Sequence, residues 1–423
     1  MDLTNHPMRD RIVSEMHLRR LPSLTAPCRL AQVVRLVEPI DREEERRGVR
    51  GLAAETSESQ VFERHARGVL GAREHWIWER HSEASTLTLI TEGDGAPFDP
   101  QGHDARGHAW LTASPGLVIR AVKIVVGVNE AAVSAAVQAL DPEEVISCRQ
   151  GRARIWSDFK VHPDGWGRLV IAAGDSHPAD LGRLVQRVQE LGNYRNMALL
   201  ALPMVQAESS RLDRMEADLV AVSKHLTDTH NEDSMLDEIS RLGAEVADLT
   251  AATAFRLGAM KAYAGIVSDR LRDLACTPIE GYQPLDDFID RRLTPATRTC
   301  LAFAERLEAL ATRLERATAL LRTRIELRVQ AQNTALLASV ERTGSHQLKL
   351  QHLVEGLSVV AVSYYALGIL AYVIKPSAIR LGMSPDLAQA VALPFVVGLV
   401  WFYLLLKMRR LDHAPTARLT RRS

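Results

Sequence analysis

Residues 356–374 read GLSVVAVSYYALGILAYVI and contain no charged side chain. A second uncharged run, LAQAVALPFVVGLVWFYLLL, occupies residues 387–406. Each run is long enough to cross about 30 Å of hydrocarbon as an α-helix. Only residues 375–386 separate the runs, and Pro376 and Pro385 within this connection favour a turn. The sequence therefore predicts a C-terminal membrane hairpin, the alternative being a pair of core helices in a soluble protein.

Basic residues beside the two runs predict the orientation of the hairpin. Residues 407–423 carry six Lys or Arg against one acid, whereas the connection between the runs carries only Lys375 and Arg380. Because basic residues are enriched in the cytoplasmic segments of membrane proteins, we expect both termini in the cytoplasm. The first residues mix charge and proline without an apolar run, so they predict no signal peptide.

The composition is that of an ordinary folded protein. Of the 423 residues, 46% are hydrophobic, and 52 Lys or Arg balance 52 Asp or Glu. These values leave room for two or three domains and exclude a disordered or collagen-like chain. Zero net charge argues against a dedicated nucleic-acid-binding protein. The cysteines form no CxxC pair, which argues against a disulfide-rich secreted domain and a zinc ribbon. They are Cys28, Cys148, Cys276 and Cys300.

Residues 1–204 predict a cytoplasmic domain of mixed α and β structure. Segments that are rich in β-branched residues, or that alternate between apolar and polar residues, predict strands. These segments are residues 85–91, 116–128, 153–161 and 167–173. Leucine and valine recur at helical spacing within residues 180–204 and predict a helix. Residues 41–50 are predicted as a solvent-exposed charged stretch, and residues 93–107 as a loop.

Residues 205–352 predict long stalk helices. Apolar side chains recur there in steps of three and four, which is typical of a coiled coil or a long bundle helix. The two series are Leu212, Met215, Leu219, Val222 and Leu226, then Met235, Ile239, Leu242, Val246 and Leu249. No proline lies between Pro295 and Pro376, so one helix of about 120 Å can continue into the first span. The alternative is two helices that meet near Gly344.

The predicted fold class is an α+β cytoplasmic domain, then long stalk or coiled-coil helices, then a two-helix transmembrane hairpin. The predicted segments are the α/β domain (1–204), the stalk (205–352), the first transmembrane helix (353–374), the external loop (375–386), the second transmembrane helix (387–406) and the basic cytoplasmic tail (407–423). This layout resembles that of the CorA-type magnesium channels. Their Gly-Met-Asn signature is missing here, because the first span ends Ala-Tyr-Val-Ile-Lys-Pro. The filter residues of that family therefore do not carry over.

A closer resemblance covers almost the whole chain. It rests on HWIWERHSE (75–83), GRLVQRVQELGNYRNMALLALP (182–203), DRRLTPATRTC (290–300), LLRTRIELRVQAQNTALLASVERT (320–343) and VEGLSVVAVSYYALG (354–368). Through these segments the chain is identified as a member of an uncharacterised bacterial family of predicted membrane-anchored proteins, domain of unknown function 3422. The resemblance implies a multi-pass protein of the bacterial inner (plasma) membrane, and it implies no reaction.

Sequence motifs of known chemistry are missing. The chain contains no nucleotide-binding, zinc-protease or hydrolase motif in a supporting context. We therefore predict no enzymatic activity, no cofactor and no metal site. His75 and His81 are the best candidates for metal ligands, but their spacing suits packed or surface side chains better. Trp76 and Trp78 alternate with charged residues, which predicts a half-buried strand.

The first membrane span carries the candidate functional residues. Gly356, Tyr364 and Gly368 lie eight and four residues apart and share one stripe, with Ser363 beside it. Small and hydroxyl-bearing residues let helices approach closely in lipid, so these residues predict a pore lining or an oligomer contact. Glu355 lies at the cytoplasmic edge of the span, where a ring of carboxylates would form a channel mouth. The alternative for the stripe is packing against the second span of the same hairpin.

Two functions follow from these predictions. The first is an oligomeric ion transporter or ion sensor of CorA-like layout. The second is a membrane-anchored scaffold, whose cytoplasmic domain binds a protein partner and whose hairpin only tethers it. The missing Gly-Met-Asn favours the scaffold, and the small-residue stripe favours the transporter. The expected partners are the lipid bilayer and further copies of this chain, without nucleic acid; the sequence does not identify the protein partner.

Overall fold

The computed structural model describes residues 5–9, 12–13, 21–99, 104–225, 232–380, 382 and 384–411. The chain divides into two compact units, residues 1–319 and residues 320–423. The first unit combines a sheet with helices, and the described part of the second is helical. The prediction of a mixed α+β part followed by long helices is thereby confirmed.

The strands of the first unit form one sheet. They are β1 (Cys28–Leu36), β2 (Ser57–Val61), β3 (His65–Gly71), β4 (Glu74–Arg80), β5 (Ala84–Glu92), β6 (Leu117–Gly127), β7 (Ile146–Gln150), β8 (Ala153–Ser157), β9 (Gly167–Ala172) and β10 (Thr277–Pro278). Their order across the sheet is β10-β7-β8-β9-β6-β1-β5-β4-β3-β2. Only β6 and β9 pair in parallel, and the other described neighbours are antiparallel. The predicted strands correspond to β5, β6, β8 and β9.

The helices alternate with the strands and then dominate the chain. They are α1 (Arg42–Ala54), α2 (Ala105–Ala113), α3 (Ser134–Gln138), α4 (Pro178–Leu199), α5 (Ala201–His225), α6 (Glu232–Leu274), α7 (Leu285–Arg380) and α8 (Pro385–Leu411). The predicted helix at residues 180–204 corresponds to α4 and the start of α5. The loop predicted at residues 93–107 ends where α2 begins, and residues 100–103 of it lie outside the described part of the chain.

The largest core lies between α4 and one face of the sheet. This core includes Leu30 and Val34 of β1, which share a face of the sheet because alternate residues of a strand point to the same side, and Leu184 and Val188 of α4. Helices α6 and α7 extend this core with Tyr263, Val267, Leu274, Leu285, Phe288, Ile289 and Leu293. The N-terminal unit therefore includes the beginning of the longest helix.

The opposite face of the sheet packs against α1 and α2. Trp76 and Trp78 of β4 point to this side and are 0% and 1% exposed. The ring of Trp76 lies 5.5 Å from that of Trp110 of α2 in an edge-on contact. The strand predicted around Trp76 and Trp78 corresponds to β4, but this strand is buried along most of its length and is not half-buried. Both indoles share one face of β4, and helices cover that face.

Residues 41–50, predicted as a solvent-exposed charged stretch, lie largely in α1. Glu45, Val49 and Leu52 occur at helical spacing and are all buried. Glu45 accepts hydrogen bonds from Trp78 Nε1 at 2.9 Å and from an Arg80 guanidinium nitrogen at 2.7 Å. Five of the ten residues 41–50 are exposed, as predicted. The helix and its inward face were missed because a buried carboxylate occupies a position where an apolar residue would have indicated that face.

Helices α5 and α6 pack against each other through the predicted apolar series. The described members of both series are buried, while Leu226 and part of the polar break lie outside the described residues. Ion pairs join Arg211 to Asp248 at 2.9 Å and Asp218 to Arg241 at 3.7 Å. Because the partner's number falls as the first number rises, the two helices are antiparallel.

The C-terminal unit contains the rest of α7 and α8. Helix α7 continues through Gly344 and Gly356 to Arg380, so the alternative of two helices meeting near Gly344 is not observed. Helix α8 begins at Pro385, a residue that suits the first turn of a helix, and it contains Pro394. Residues 412–423, most of the predicted basic tail, lie outside the described part of the chain.

Candidate functional site

The predicted stripe in the first span lies on an exposed face of α7. Tyr364 is 76% exposed, and a Cβ atom added to Gly356 or Gly368 would have no neighbour within 4 Å. Within the described residues, neither glycine of the stripe therefore has a packing neighbour, and the ring of Tyr364 lies 5.8 Å from that of the adjacent Tyr365. Packing of the stripe on the second span, the alternative prediction, is not a contact of this structure.

Ser363 and Glu355 are less exposed than the stripe. Ser363 is 4% exposed, and its hydroxyl has no hydrogen-bond partner among the described residues. Glu355 is half-buried and accepts a hydrogen bond from Gln351 Nε2 at 3.1 Å. His352 Nδ1 lies 3.3 Å from the other carboxylate oxygen. The structure thus separates the five predicted residues into an exposed group of three and a less exposed pair.

Two helices are long and apolar enough to cross a membrane, as judged from length and composition. The first reaches Ile374 within α7, and the second covers Asp386–Tyr403 of α8. Large apolar side chains face outwards on both: Leu357, Ile369 and Phe395 are 73%, 71% and 74% exposed. In water such a surface would be unfavourable, because exposed apolar area drives association.

A polar cluster interrupts the core of the N-terminal unit between the sheet and α4. On the sheet it contains Gln32 of β1, Glu79 of β4 and Thr86 and Thr88 of β5. Thr88 lies opposite Gln32, and Thr86 lies opposite Glu79 in the strand register. These side chains are therefore neighbours on a face that is otherwise apolar. Burying polar groups is unfavourable unless they are hydrogen-bonded, so packing alone does not account for the cluster.

Helix α4 forms the opposite wall of the polar cluster. Gln186, Gln189, Glu190 and Asn193 recur in steps of three, one and three and face the sheet. Together the two walls enclose a cavity of about 240 Å³. Its lining is completed by Leu21, Val34, Ile77, His81, Tyr194, Met197 and Arg270.

Gln189 is the most informative residue of this cavity. Its side chain is 1% exposed, and neither its amide nitrogen nor its amide oxygen has a hydrogen-bond partner among the described residues. By contrast, Gln32 Nε2 donates to Thr88 Oγ1 at 3.0 Å. A buried carboxamide without partners costs about 1–3 kcal/mol. Gln189 therefore presents two donor hydrogens and one acceptor oxygen to the cavity.

Arg120 of β6 supports the cavity from behind. One guanidinium nitrogen donates to Gln32 Oε1 at 3.2 Å and to Asn193 Oδ1 at 2.8 Å. Removal from water, with repulsion from Arg195, lowers the pKa of Arg120 to about 9. At neutral pH the guanidinium still carries its charge. It fixes the orientation of two amides that line the cavity, because their oxygen atoms must face the arginine.

The charged groups in the cavity wall pair with one another. Glu190 accepts hydrogen bonds from Gln186 Nε2 at 2.9 Å and from Arg270 Nε at 2.5 Å. Glu79 lies 3.7 Å from His65 Nδ1 and accepts a weak hydrogen bond from Thr86. The cavity therefore combines neutral polar groups with carboxylates that have partners.

Sequence reasoning missed this cavity, although its signal was present. Gln186, Gln189 and Asn193 lie three and four residues apart, so they share one face of α4, roughly opposite the apolar residues that predicted this helix. Two of the segments that carry the family resemblance, residues 75–83 and 182–203, meet in its lining. A search for uncharged polar residues that recur at helical spacing would have indicated it.

The histidines considered as metal ligands lie in separate surroundings. His81 lines the cavity, with its ring 6.1 Å from that of Tyr194. His75 Nε2 lies 3.8 Å from a carboxylate oxygen of Glu92. Among the residues that the structure describes, no three His, Cys, Asp or Glu side chains form a group that could hold a metal ion.

Two of the four cysteines are neighbours. The Sγ atoms of Cys148 and Cys276 lie 3.1 Å apart, next to the pairing of β10 with β7. The hydrogen bond from Cys148 lowers the pKa of Cys276, whereas this bond and burial raise the pKa of Cys148. Cys276 is the more exposed of the two.

Fold and exposed surface together define a class of protein: a mixed α+β unit followed by long helices, two of them apolar enough to cross a membrane. The chain belongs to the family described as "Protein of unknown function (DUF3422)", whose model matches residues 4–411. No curated protein matches the chain.

Proposed function

We propose that this chain is a membrane-anchored binding protein of the bacterial inner membrane. Its two apolar helices form a membrane hairpin, and its N-terminal unit binds a partner or ligand in the cytoplasm. The observation that carries this proposal is the outward-facing apolar surface of the two helices. Lipid is the environment in which such a surface costs no free energy.

The N-terminal unit supports the binding part of the proposal. The described buried apolar residues that precede the hairpin lie between Leu24 and Leu321, so folding of this unit requires no residue of the membrane hairpin. A hairpin with both termini in the cytoplasm then tethers this unit to the membrane surface. The basic residues of the tail agree with this orientation.

A labelling experiment tests the anchor and its orientation. Single cysteines replace Ser377 and Ser423 in a chain whose native cysteines are serines, and intact cells are treated with a membrane-impermeant maleimide. We expect labelling at position 377 and none at position 423. Labelling at position 423 alone would reverse the orientation, and recovery of the chain in the soluble fraction would end the anchor proposal.

A second candidate function is favoured by the stripe of Gly356, Tyr364 and Gly368. This stripe is exposed in the isolated chain, and glycine allows close contact between helices in lipid. In this candidate, copies of the chain meet through the stripe and form an oligomeric ion transporter of CorA-like layout. Glu355 of each copy then contributes to a ring of carboxylates at the cytoplasmic mouth.

Substitution of Gly368 by leucine tests the second candidate. Because nothing lies within 4 Å of this position, Gly368→Leu fits the isolated chain and disturbs only a contact between copies. We expect a smaller particle by light scattering in mild detergent if the candidate is correct. Leu370→Ala, which changes a residue about 200° away on the helix, is the matched control. Identical particle sizes for both variants and the parent protein would remove the support for the transporter.

A further inference from the structure

We infer that the cavity between the sheet and α4 binds a small uncharged molecule that carries a hydrogen-bond donor and an acceptor side by side. A nucleobase and a primary carboxamide are the simplest molecules of this class. The inference deepens the proposed function by naming what the N-terminal unit binds. It stands on the cavity, on the carboxamide of Gln189 and on the balance of charge in the wall.

The volume of the cavity limits the size of the ligand. About 240 Å³ corresponds to roughly eight waters at about 30 Å³ each. Pockets for drug-sized ligands are larger, at about 300–1,000 Å³. A single heterocyclic ring system fits this space, whereas a nucleotide chain or a peptide does not.

The carboxamide of Gln189 determines the hydrogen-bonding pattern of the ligand. A primary amide offers a donor and an acceptor in one plane, and glutamine binds the edge of adenine through two such hydrogen bonds. Both amide atoms of Gln189 are buried without partners among the described residues. A ligand with the complementary edge satisfies both at once, and this removes the cost of burying them.

The charges of the wall favour a neutral ligand. Arg270 is paired with Glu190, and the guanidinium of Arg120 binds the oxygens of Gln32 and Asn193. An anion in the cavity would lie near the carboxylates of Glu79 and Glu190, and like charges repel strongly where water is excluded. Neutral hydrogen-bonding groups meet no such penalty.

Access to the cavity is provided by an adjoining groove. The groove has a volume of about 540 Å³ and shares Gln186, Glu190 and Arg270 with the cavity. The ion pair between Arg270 and Glu190 therefore lies where the two spaces meet. A ligand that enters from the groove passes this pair before it reaches Gln189.

Calorimetric titration of the full chain in mild detergent tests the inference. The probes are uracil, adenine and nicotinamide, with glucose and inorganic phosphate as contrasts. We expect saturable one-to-one binding of at least one of the first three, with a rise in the thermal unfolding temperature, and no binding of glucose or phosphate. Absence of binding by all three at millimolar concentration overturns the inference, and so does binding of glucose or phosphate alone.

Gln189→Met distinguishes a ligand-binding side chain from a structural one. We expect this variant to lose at least tenfold in affinity and to unfold at a higher temperature than the parent protein without ligand, because an unpartnered polar group is removed. Gln206→Met, at an exposed position of α5, should change neither property. A Gln189→Met protein that unfolds earlier and binds unchanged overturns the inference. None of these results depends on membrane fractionation, so the binding inference and the anchor proposal are tested independently.

Discussion

Glu45 is a charged residue within an apolar core, and its carboxylate has the hydrogen-bond donors that a buried charge requires. Its carboxylate, 3% exposed, accepts hydrogen bonds from Trp78 and Arg80. Arg80 is itself 8% exposed. Removing one partner of a buried ion pair leaves the other charge buried and uncompensated, which costs several kcal/mol.

We therefore expect Glu45→Ala to lower the free energy of unfolding of the N-terminal unit by about 3–5 kcal/mol. Urea unfolding followed by tryptophan fluorescence measures this, because five of the six tryptophans precede residue 319. Asp175→Ala provides the control, since Asp175 forms an exposed ion pair with Arg152 and should produce no measurable change. Equal midpoints for the two variants would show that the buried pair contributes nothing.

Differences in burial and hydrogen bonding should make the cysteines differ in reactivity. Cys276 is partly exposed, and the hydrogen bond from Cys148 lowers its pKa. Burial raises the pKa of Cys28 to about 12, so its reactive thiolate form is scarce at neutral pH. We expect maleimide to modify Cys276 first, as measured by mass spectrometry of the digested protein.

Cys148→Ala provides the control for this order of reactivity. The variant lacks the hydrogen bond to Cys276, so labelling of Cys276 should become slower while Cys28 stays unlabelled. If Cys28 reacts as fast as Cys276 in the parent protein, the described burial of Cys28 is wrong.

At the scale of elements, glycine positions determine how closely α4 approaches its neighbours. A Cβ atom on Gly182 would lie 2.5 Å from the backbone oxygen of Pro22. Alanine is a better helix former than glycine by about 1 kcal/mol, but the backbone oxygen cannot move aside as a side chain can. We expect Gly182→Ala to destabilise the N-terminal unit by about 1–2 kcal/mol, since overpacking costs about 1–3 kcal/mol.

Gly258 of α6 provides the opposite case. No atom lies within 4 Å of an added Cβ there, so Gly258→Ala should stabilise the unit by about 0.5–1 kcal/mol. Urea unfolding of both variants gives the comparison. Stabilisation by Gly182→Ala would mean that α4 lies further from residue 22 than the structure places it.

The sequence predicted those elements whose apolar patterns are regular. Helix α4 and strands β5, β6, β8 and β9 were found because their inward residues recur with the period of a helix or a strand. Helix α1 was missed because Glu45 interrupts its apolar face, and β10 because two residues carry no periodic signal. Polar residues at inward positions, such as Gln189, were part of the predicted helix, but no function was predicted for them.

At the scale of the whole molecule, the N-terminal unit should fold without the membrane hairpin. We expect a chain that ends at residue 352 to keep its α+β structure and to lose its membrane association. The reason is that the described buried apolar residues before the hairpin end at Leu321. Circular dichroism and membrane fractionation measure the two properties. A fragment that is unfolded at low concentration would contradict the division into units.

The sequence predicted the apolar C-terminal helices from their lack of charge, but it gave no information on contacts between copies of the chain. Such contacts depend on surfaces that one chain leaves exposed, and Gly368 shows this. In the isolated chain, no atom lies within 4 Å of a Cβ atom added to this residue. Neighbours supplied by another copy are a property of the assembly and cannot be predicted from the apolar pattern of one chain.

The pairing of β10 with β7 has a consequence during synthesis. β7 ends at Gln150, but its outer neighbour begins at Thr277. At about 5–20 residues per second, the ribosome needs roughly 6–25 s to make residues 151–276. An uncovered strand edge is a template for pairing with another chain. We therefore expect slower translation of residues 151–276 to raise the insoluble fraction of newly made protein. The nascent chain thus depends on the speed of its own synthesis until Thr277, Pro278 and Gln283 have paired with β7.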